Sequence, residues 1–243
     1  MSHPFRAFLL AAGLGTRLRP FTLRTPKCLL QIGGEPLLGR WLRQLEAAGC
    51  EAVLVNTHYL EDQVMEFLQG WHSQRMEVLA VHEPELLGTA GTLVANQAFF
   101  VGKTGLLIHA DNVMADDLLG LLAAHSQRPS HCLLTMLTFC TDRPSSCGIV
   151  ETNDQGVLTA FHEKVADAPG FCANGALYVF DPPLLSFVNS MSFHPSDFST
   201  EVIPALIGRI QTWHTDRPYL DIGTPETFEQ AQRFWLTHEE TRA

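Results

Sequence analysis

The stretch AFLLAAGLGTRLRPFTLRTPK, residues 7–27, joins an apolar run to a loop rich in glycine and basic residues. The apolar run at residues 7–12 predicts a buried strand that ends where Gly13 begins the loop. Ligands of open α/β sheets bind at the carboxyl ends of strands, so this position favours a binding site. Gly13 and Gly15 let backbone N–H groups turn toward an anion, and Arg17 adds a planar set of donors that suits phosphate. A lone Gly-x-Gly is equally compatible with a site that binds no ligand, in which a tight turn follows an edge strand and Arg17 is a surface residue.

Two familiar phosphate-binding loops are excluded by the residues present. The dinucleotide-binding pattern Gly-x-Gly-x-x-Gly fails because Leu18 stands at the third glycine, where a side chain blocks close packing of helix against strand. A P-loop beginning at Gly34 fails because Arg40 and Trp41 occupy the positions of the required Lys and Ser or Thr. What remains is a longer loop at residues 13–27, which two prolines stiffen and which ends in a second cation, Lys27.

Hydrophobic periodicity predicts alternating strands and helices over the first half of the chain. The predicted strands lie at residues 7–12, 52–56, 78–81 and 105–110. The first predicted helix begins at Pro36 and ends at Gly49, and further helices are predicted at residues 64–71, 92–99 and 118–125. Such alternation predicts a mostly parallel sheet that is covered by helices on both faces.

The pattern changes after residue 130, where four strands follow one another at residues 132–139, 148–151, 157–161 and 173–180. A hairpin turn is predicted at residues 153–156. Helices return at residues 182–188, 199–207 and 225–235, the last with Thr224 as N-cap and Pro225 at the first helical position. We therefore predict an α/β fold with a doubly wound, mostly parallel mixed sheet in one continuous domain.

Composition excludes several classes of protein. The 243 residues are 46% apolar, which is ample for a buried core, and their net charge of −10 provides no basic stripe for a nucleic-acid backbone. No stretch approaches the ~20 apolar residues that span a bilayer. The apolar run near the N-terminus lacks the cleavage site of a signal peptide. The six cysteines are scattered without a CxxC pair, which predicts free thiols in a reducing cytoplasm.

The loop GLGTRLRPFTLRTPK, residues 13–27, resembles the signature of the sugar-1-phosphate nucleotidylyltransferases. The resemblance extends along the chain, through GTAG at residues 88–91, ADN at 110–112, GIV at 148–150, EK at 163–164, NGALYVF at 174–180 and LDIGTPE at 220–226. It implies a Rossmann-like nucleotidyltransferase fold, in which residues 1–125 mainly bind nucleotide and residues 126–243 mainly bind the sugar phosphate. Together, EPELLGTAG at residues 83–91 and STEVIP at residues 199–204 resemble most the short guanylyltransferases that act on mannose-1-phosphate or heptose-1-phosphate.

This resemblance implies attack by a sugar-1-phosphate on the α-phosphorus of an NTP, which gives an NDP-sugar and pyrophosphate. Catalytic roles fall on Arg17, Lys27 and Asp111, and Mg²⁺ is expected to bind Asp111 and Asp221. Nucleotide-binding roles fall on Leu10, Ala12, Gly13, Gly15, Thr16, Arg17, Glu83, Glu85 and Gly88. Acceptor-binding roles fall on Gly148, Glu163, Lys164 and Asn174.

The chemistry of these residue types agrees with those roles. Two anions meet in the reaction, so the site needs cations and oriented N–H groups rather than a covalent nucleophile. Mg²⁺ favours one or two carboxylates together with phosphate oxygens and water, although Asp111 before a helix also suits an N-cap. A carboxylate accepts the adjacent N1–H and N2–H donors of guanine, so Glu83 or Glu85 favours GTP. The alternative is that both glutamates are solvated and backbone groups read the base.

Two departures from the family pattern affect these expectations. Cys28 replaces the proline or alanine of the common Pro-Lys-Pro-Leu or Pro-Lys-Ala-Leu, and Val165 replaces the proline after Glu-Lys, so the loop after Lys164 is expected to be less rigid. The chain ends near its last predicted helix, so we expect no second catalytic activity. Two alternatives stay open: an enzyme of the same family that uses UTP or dTTP, and a non-catalytic regulatory subunit that binds nucleotide-sugars. We expect no nucleic-acid or membrane partner, and self-association into a homo-oligomer is left open.

Overall fold

A computed structural model describes residues 4–239, with the side chains of residues 4–235. The strands are β1 (Phe5–Leu10), β2 (Gln31–Ile32), β3 (Glu35–Pro36), β4 (Cys50–Thr57), β5 (Glu77–His82), β6 (Thr104–His109), β7 (Asn112–Met114), β8 (Leu134–Cys140), β9 (Gly148–Thr152), β10 (Leu158–Glu163), β11 (Cys172–Phe180), β12 (Ile210–Thr215) and β13 (Tyr219–Asp221). The helices are α1 (Leu37–Ala47), α2 (Glu61–Gln69), α3 (Gly88–Ala95), α4 (Leu119–Gln127), α5 (Pro182–Asn189), α6 (Ile203–Ala205) and α7 (Pro225–Glu239). Within this part of the chain, no helix is long and apolar enough to cross a membrane.

A nine-stranded mixed sheet forms the centre of the described chain. Its main path has the order β10-β9-β11-β6-β1-β4-β5, and β8 pairs with both β11 and β12. Strands β5, β4, β1 and β6 are parallel, whereas β11 runs antiparallel to β6, β8 and β9. The predicted parallel first half and mixed second half are therefore confirmed. Because β4 and β6 flank β1 on opposite sides, the crevice between β1 and β6 is a topological switch point, where ligands of such sheets bind.

Successive side chains of the central strands pack into two cores on opposite faces of this sheet. In β1, Ala7 and Leu9 join one core, while Phe8 joins the other. Helices α1, α2 and α4 cover the first core, and α3, α5 and α6 cover the second. Gly49 follows α1 at a φ of +85°, which suits the chain reversal after that helix. The fold is therefore doubly wound, as the sequence predicts.

Several elements differ from the sequence predictions. The short strands β2, β3, β7 and β13 have no predicted counterpart, and α3 spans Gly88–Ala95 rather than residues 92–99. Strand β12 has no predicted counterpart, because its parallel pairing with β8 is a long-range contact that its own residue pattern does not show. The helix predicted at residues 199–207 is instead a π-helical turn, Phe198–Val202, followed by the single turn α6. Pro204 lacks the N–H that a regular α-helix would donate to the Thr200 carbonyl, so a continuous helix is disfavoured there.

Asp181 precedes α5 and ties three elements together through its carboxylate. Its Oδ1 accepts from Thr104 Oγ1 at 2.7 Å, and its Oδ2 lies 2.5 Å from Arg128 Nη2 and 3.4 Å from His125 Nε2. Contacts with His125, Thr104 and Arg128 outweigh partial burial and hold the pKa of Asp181 well below its usual value. The folded state therefore favours the ionised carboxylate.

We expect Asp181→Asn to lower the free energy of unfolding at pH 7 by about 1–3 kcal/mol, because charge-assisted hydrogen bonds are lost. The pKa of Asp181 is lowered by folding, so its stabilisation is complete above the unfolded value of about 4 and disappears as the pH falls through the folded value. Urea unfolding at pH 7 and pH 3 measures this difference, with Asp216→Asn as a control at a fully exposed carboxylate. A difference that does not shrink at pH 3 would contradict this role for Asp181.

Candidate active site

The crevice at the carboxyl ends of β1 and β6 collects charged side chains from distant segments. The two strands end side by side, since Leu10 pairs with His109. From there, β1 continues into the glycine-rich loop, and β6 is followed by Asp111. Lys27 returns from the end of the loop and forms an ion pair with Asp111. The loop and the first predicted metal ligand are therefore neighbours.

Asn56, at the end of β4, fixes the start of the glycine-rich loop. Its Oδ1 accepts from the backbone N–H groups of Ala11 at 2.6 Å and Ala12 at 3.2 Å. Further along, Gly15 has a φ of +60°, and its carbonyl accepts from Thr22 Oγ1 at 2.6 Å. A Cβ on Gly15 would lie 2.8 Å from Thr22 Cγ2, so the loop requires glycine there.

The predicted nucleotide-binding residues of this loop differ in exposure. Ala12 is buried, Leu10 and Gly15 are half-buried, and Gly13, Thr16 and Arg17 are exposed. Three short 3₁₀ turns, Thr16–Leu18, Phe21–Leu23 and Lys27–Leu29, fold the rest of the loop. The half of the loop that holds the glycines and Arg17 therefore faces solvent at the crevice, where an anion has access to it.

Glu83 follows β5 and connects Asn56 to helix α3. The residue is buried, and its Oε1 accepts from Asn56 Nδ2 at 3.0 Å and from Thr92 Oγ1 at 2.6 Å. Its Oε2 accepts a long bond, 3.4 Å, from the Leu87 N–H. Oε2 is therefore the oxygen with more capacity left for a further donor. Recognition of a base by Glu83, or by the exposed Glu85, stays a prediction.

Gly88 begins α3 in close contact with a segment from the second half of the chain. Its φ is +76°, and a Cβ there would lie 2.3 Å from the Ser196 carbonyl oxygen. That carbonyl accepts from the Ala90 N–H at 2.9 Å, while the Phe198 N–H donates to Thr89 Oγ1 at 2.7 Å. The GTAG motif therefore fixes α3 against residues 196–198.

Asp111 and Asp221 come together because β7 and β13 form a short antiparallel ladder. Asp221 ends β13, and the next residue, Ile222, donates its N–H to the Asp111 carbonyl at 3.1 Å. The Arg17 and Asp221 side chains both approach Gly223. A Cβ built on Gly223 would lie 3.4 Å from Arg17 Nη2 and 3.3 Å from Asp221 Oδ2, so Arg17 lies near the Asp221 carboxylate. The crevice thus brings together two acidic and two basic side chains, which we call the charged centre: Arg17, Lys27, Asp111 and Asp221.

The two carboxylates of the charged centre have pKa values shifted in opposite directions. Burial opposes ionisation of Asp111, but the Lys27 ammonium and His109 outweigh it, so the pKa of Asp111 is lowered. The pKa of Asp221 is raised, because partial desolvation in the crevice and the nearby Asp111 carboxylate outweigh Lys27 and Arg17, although the residue retains solvent exposure. Repulsion between the carboxylates is therefore only partly compensated by the basic side chains.

The pair of carboxylates fits Mg²⁺ in type and number. In nucleotide enzymes this ion takes one or two protein carboxylates and completes its shell with phosphate oxygens and water. Desolvation and the nearby Asp111 carboxylate raise the pKa of Asp221, and a bound divalent cation would offset both effects. Among the described side chains, those of residues 4–235, no group of three or more His, Cys, Asp or Glu is arranged to hold a metal ion. Substrate phosphates would therefore have to complete the shell.

Three of the predicted acceptor-binding residues lie together where β9 begins and β10 ends: Gly148, Glu163 and, in the turn after β10, Lys164. Gly148 and Glu163 pair directly across the ladder, and a Cβ on Gly148 would lie 2.6 Å from Glu163 Oε2. Glu163 Oε1 is 2.9 Å from Lys164 Nζ. Lys164 has a φ of +50°, and its N–H donates to the Cys147 carbonyl at 3.1 Å. This turn directs the Lys164 side chain to solvent, where an anion has access to its ammonium.

Asn174, the fourth predicted acceptor residue, lies on β11, next to these strands. Its Oδ1 accepts from the Ala176 N–H at 2.9 Å, and its Nδ2 donates to the Tyr178 hydroxyl at 2.8 Å. Ala173 of β11 pairs with Ile149 of β9. Asn174 and Gly148 are the sequence neighbours of these two residues, so they lie close to each other on adjacent strands. The structure therefore brings the four predicted acceptor residues to adjacent strands.

The sequence predictions missed three residues that hold the backbone of the site: Asn56, Asn112 and Tyr219. Asn56 ends a predicted apolar strand and Asn112 closely follows one, so a polar side chain at a strand end is the signal that identifies them. Tyr219 carries no such signal, because its partner lies on a strand that is distant in sequence. All three use their side chains to bind backbone groups.

A family model described as "Nucleotidyl transferase" matches residues 6–238. The chain is 31% identical to a mannose-1-phosphate guanylyltransferase of Mycobacterium tuberculosis, over 93% of this chain and 63% of that protein. It is 28% identical to a mannose-1-phosphate guanylyltransferase catalytic subunit beta of Drosophila melanogaster, over 96% of this chain and 63% of that protein. The chain thus spans less than two thirds of the length of these relatives.

Solved structures share the fold. The TM-score is 0.85 with a Bacillus anthracis protein assigned as a glucose-1-phosphate thymidylyltransferase, at 19% identity and 95% coverage of both chains. It is 0.81 with a UDP-glucose pyrophosphorylase from Acinetobacter baumanii, at 15% identity, over 96% of this chain and 93% of that one. At such identities the likeness concerns the fold alone, and it confirms the predicted single-domain, Rossmann-like nucleotidyltransferase fold.

We expect Gly88→Ala to lower the free energy of unfolding by about 2–5 kcal/mol. A left-handed backbone costs a non-glycine residue about 1–2 kcal/mol, and overpacking against Ser196 adds about 1–3 kcal/mol. Gly102→Ala is the matched control, because Gly102 has a φ of +69° but no heavy atom within 4 Å of its added Cβ. Urea unfolding of the two variants measures the difference. Equal losses would show that the contact with Ser196 does not constrain residue 88.

Proposed function

Because this chain belongs to the nucleotidyl transferase family, we propose that it transfers a nucleotidyl group from an NTP to a sugar-1-phosphate and releases pyrophosphate. We propose GTP as the donor and a mannose- or heptose-1-phosphate type of sugar as the acceptor. The observation that carries the proposal is the charged centre beside the glycine-rich loop. The two relatives named as mannose-1-phosphate guanylyltransferases support the choice of donor and acceptor.

In the proposed reaction, an oxygen of the acceptor phosphate attacks the α-phosphorus of the NTP. A new P–O bond forms while the bond to the bridging oxygen breaks, and pyrophosphate leaves with that electron pair. Charge repulsion is the main obstacle, so cations and oriented N–H groups do most of the work and no covalent nucleophile is required. Arg17 and the N–H groups of residues 13–16 hold the pyrophosphate, Lys27 neutralises the α-phosphate, and Lys164 binds the acceptor phosphate.

Asp111 and Asp221 would hold Mg²⁺, which supplies positive charge to the phosphates when it is bound. Lys27 is already paired with Asp111, so its ammonium is held in place before any substrate arrives. Pre-positioned charge of this kind stabilises the transition state without reorganisation during the reaction. Glu163 and Asn174 contact sugar hydroxyls. A Cβ at residue 148 would overlap the Phe161 ring and the Glu163 carboxylate, so Gly148 leaves space for both side chains.

Selection of guanine is proposed to depend on a carboxylate beside the loop. Guanine offers two adjacent N–H donors, whereas uracil and thymine offer one N–H between two carbonyl acceptors. Glu83 Oε2 retains capacity for a donor, and the exposed carboxylate of Glu85 lies two residues further along. A pyrimidine would leave this carboxylate opposite a carbonyl oxygen.

We place the reaction in the cytoplasm, in keeping with six cysteines that all carry free thiols.

A pyrophosphate-release screen of GTP, ATP, CTP, UTP and dTTP against a panel of sugar-1-phosphates, with Mg²⁺ present, tests the proposal. We expect GTP to exceed UTP and dTTP by at least about tenfold in kcat/KM, because the wrong base leaves buried polar groups unpaired. Glu83→Gln and Glu85→Gln then show which carboxylate reads the base. Equal or better turnover with a pyrimidine nucleotide would overturn the guanylyl assignment, and no turnover with any pair would favour the regulatory subunit.

The same assay with two lysine variants shows whether the activity belongs to this site. Lys27→Met removes a cation of the charged centre and should lower kcat by about 100-fold or more. Lys103→Met removes a lysine that pairs with Glu51 away from the crevice, and it should leave turnover within about twofold. Similar turnover by the two variants would exclude the proposed role of Lys27.

A further inference from the structure

The strand that presents Asn174 contains a local irregularity. Asn174 pairs with Thr138 of β8, whereas Tyr178 pairs with Met136, so β11 carries two extra residues between these points. Ala176, within this bulge, has a φ of +51°. The side chain of Asn174 binds the Ala176 N–H inside the bulge and the hydroxyl of Tyr178, the residue that follows the bulge. The position of Asn174 is therefore set by the shape of the bulge.

Gly175 is the first residue of this bulge, and its carbonyl is held by two buried donors. Asn112 Nδ2 donates to it at 2.9 Å, and the Tyr219 hydroxyl donates to it as well. A Cβ on Gly175 would lie 2.4 Å from Leu137 Cδ2 and 3.2 Å from Tyr219 Cζ, so the backbone is packed closely against both side chains. These contacts leave the bulge little freedom to shift toward the core.

The two donors belong to the same short ladder that forms the charged centre. Asn112 begins β7 directly after Asp111, and Tyr219 begins β13 two residues before Asp221. The ring of Tyr219 is buried against Phe139, with the ring centroids 4.8 Å apart. Its hydroxyl is therefore held toward Gly175 by packing as well as by the hydrogen bond. One ladder thus supports the carboxylates on one side and the acceptor strand on the other.

We propose that Tyr219 is a positioning residue, whose hydroxyl acts with Asn112 on the Gly175 carbonyl to set the bulge that presents Asn174 to the acceptor sugar. This inference rests on the proposed function. Residues that orient metal-binding side chains change affinity or activity by about 10–100-fold when they are replaced. We expect the lower end of this range for a residue that acts through the backbone beside Asn174. Tyr219 therefore affects the acceptor, whereas the nucleotide is bound by the loop on the other side of β6.

The test replaces Tyr219 by Phe, which removes the hydroxyl and keeps the buried ring. We expect the KM for the sugar-1-phosphate to rise by about tenfold, while the KM for the NTP stays within about twofold. Tyr59→Phe is the matched control, because the Tyr59 hydroxyl donates to the Thr22 carbonyl in the nucleotide-side loop at 2.9 Å. This control should leave the KM for the acceptor unchanged.

Amide hydrogen exchange provides a second readout that needs no turnover. Tyr219→Phe should increase exchange at residues 174–176 and leave α1 and β4 at the wild-type rate, because only the bulge loses a contact. Should Tyr219→Phe fail to fold, Asn112→Ala is measured in the same way, since that change removes the second donor that acts on the Gly175 carbonyl.

The two readouts separate the inference from the proposed function. Unchanged acceptor KM together with unchanged exchange at residues 174–176 would overturn the role of Tyr219, even if the wild-type protein is active. A wild-type protein without transferase activity would overturn the proposed function. In that case, increased exchange confined to the bulge would still support the positioning of Gly175, and unchanged exchange would reject it.

Discussion

Repulsion between Asp111 and Asp221 is the constraint on which the rest of the site depends. The two carboxylates come from opposite halves of the chain, and the three-residue strands β7 and β13 bring them together. Such short strands need support, which the Trp41 indole gives by donating to the Asn112 carbonyl at 2.9 Å. The Ala115 N–H extends the ladder by donating to the Pro218 carbonyl at 3.0 Å. Helix α1 and the turn before β13 thus help to hold like charges near each other.

Basic side chains and hydrogen bonds connect this pair to both substrate sides. Lys27 is paired with Asp111 and Arg17 lies near Asp221, so the loop that is proposed to bind phosphates also offsets the repulsion. From the loop, Asn56 leads through Glu83 to α3, and α3 contacts residues 196–198 of the second half. Contacts of this kind tie the two halves of the chain together within one sheet. The division into a nucleotide half and an acceptor half remains a prediction about binding.

Local patterns in the sequence predicted the features whose causes are local. The alternation of strands and helices in the first half, the end of α1 before Gly49 and the glycine-rich loop all follow from residue type and spacing. Strand β12 was not predictable in this way, because β8 supplies its hydrogen bonds from a distant part of the chain. The turn at Phe198–Val202 precedes Pro204, whose disruption of a regular α-helix is a local effect that residue type indicates.

The candidate site residues also divide into those with a local signal in the sequence and those placed by long-range contacts. Arg17, Lys27 and Asp111 stand in a motif or at a strand end, where the sequence itself indicates a ligand. The position of Asp221 beside Asp111, the burial of Glu83 and the contact from Tyr219 to Gly175 depend on how distant strands pair. Such contacts carry no local signal.

The most direct test of the central claim measures metal binding by Asp221. Mn²⁺ prefers the same oxygen ligands as Mg²⁺. It can be titrated into the protein with a non-hydrolysable GTP analogue bound, and electron paramagnetic resonance then measures the free Mn²⁺. If Asp111 and Asp221 share one cation, Asp221→Asn should raise the Kd for Mn²⁺ by about tenfold or more. Asp216→Asn, at an exposed carboxylate near the same ladder, should leave it unchanged. A Kd for Asp221→Asn that equals the wild-type value would contradict the claim.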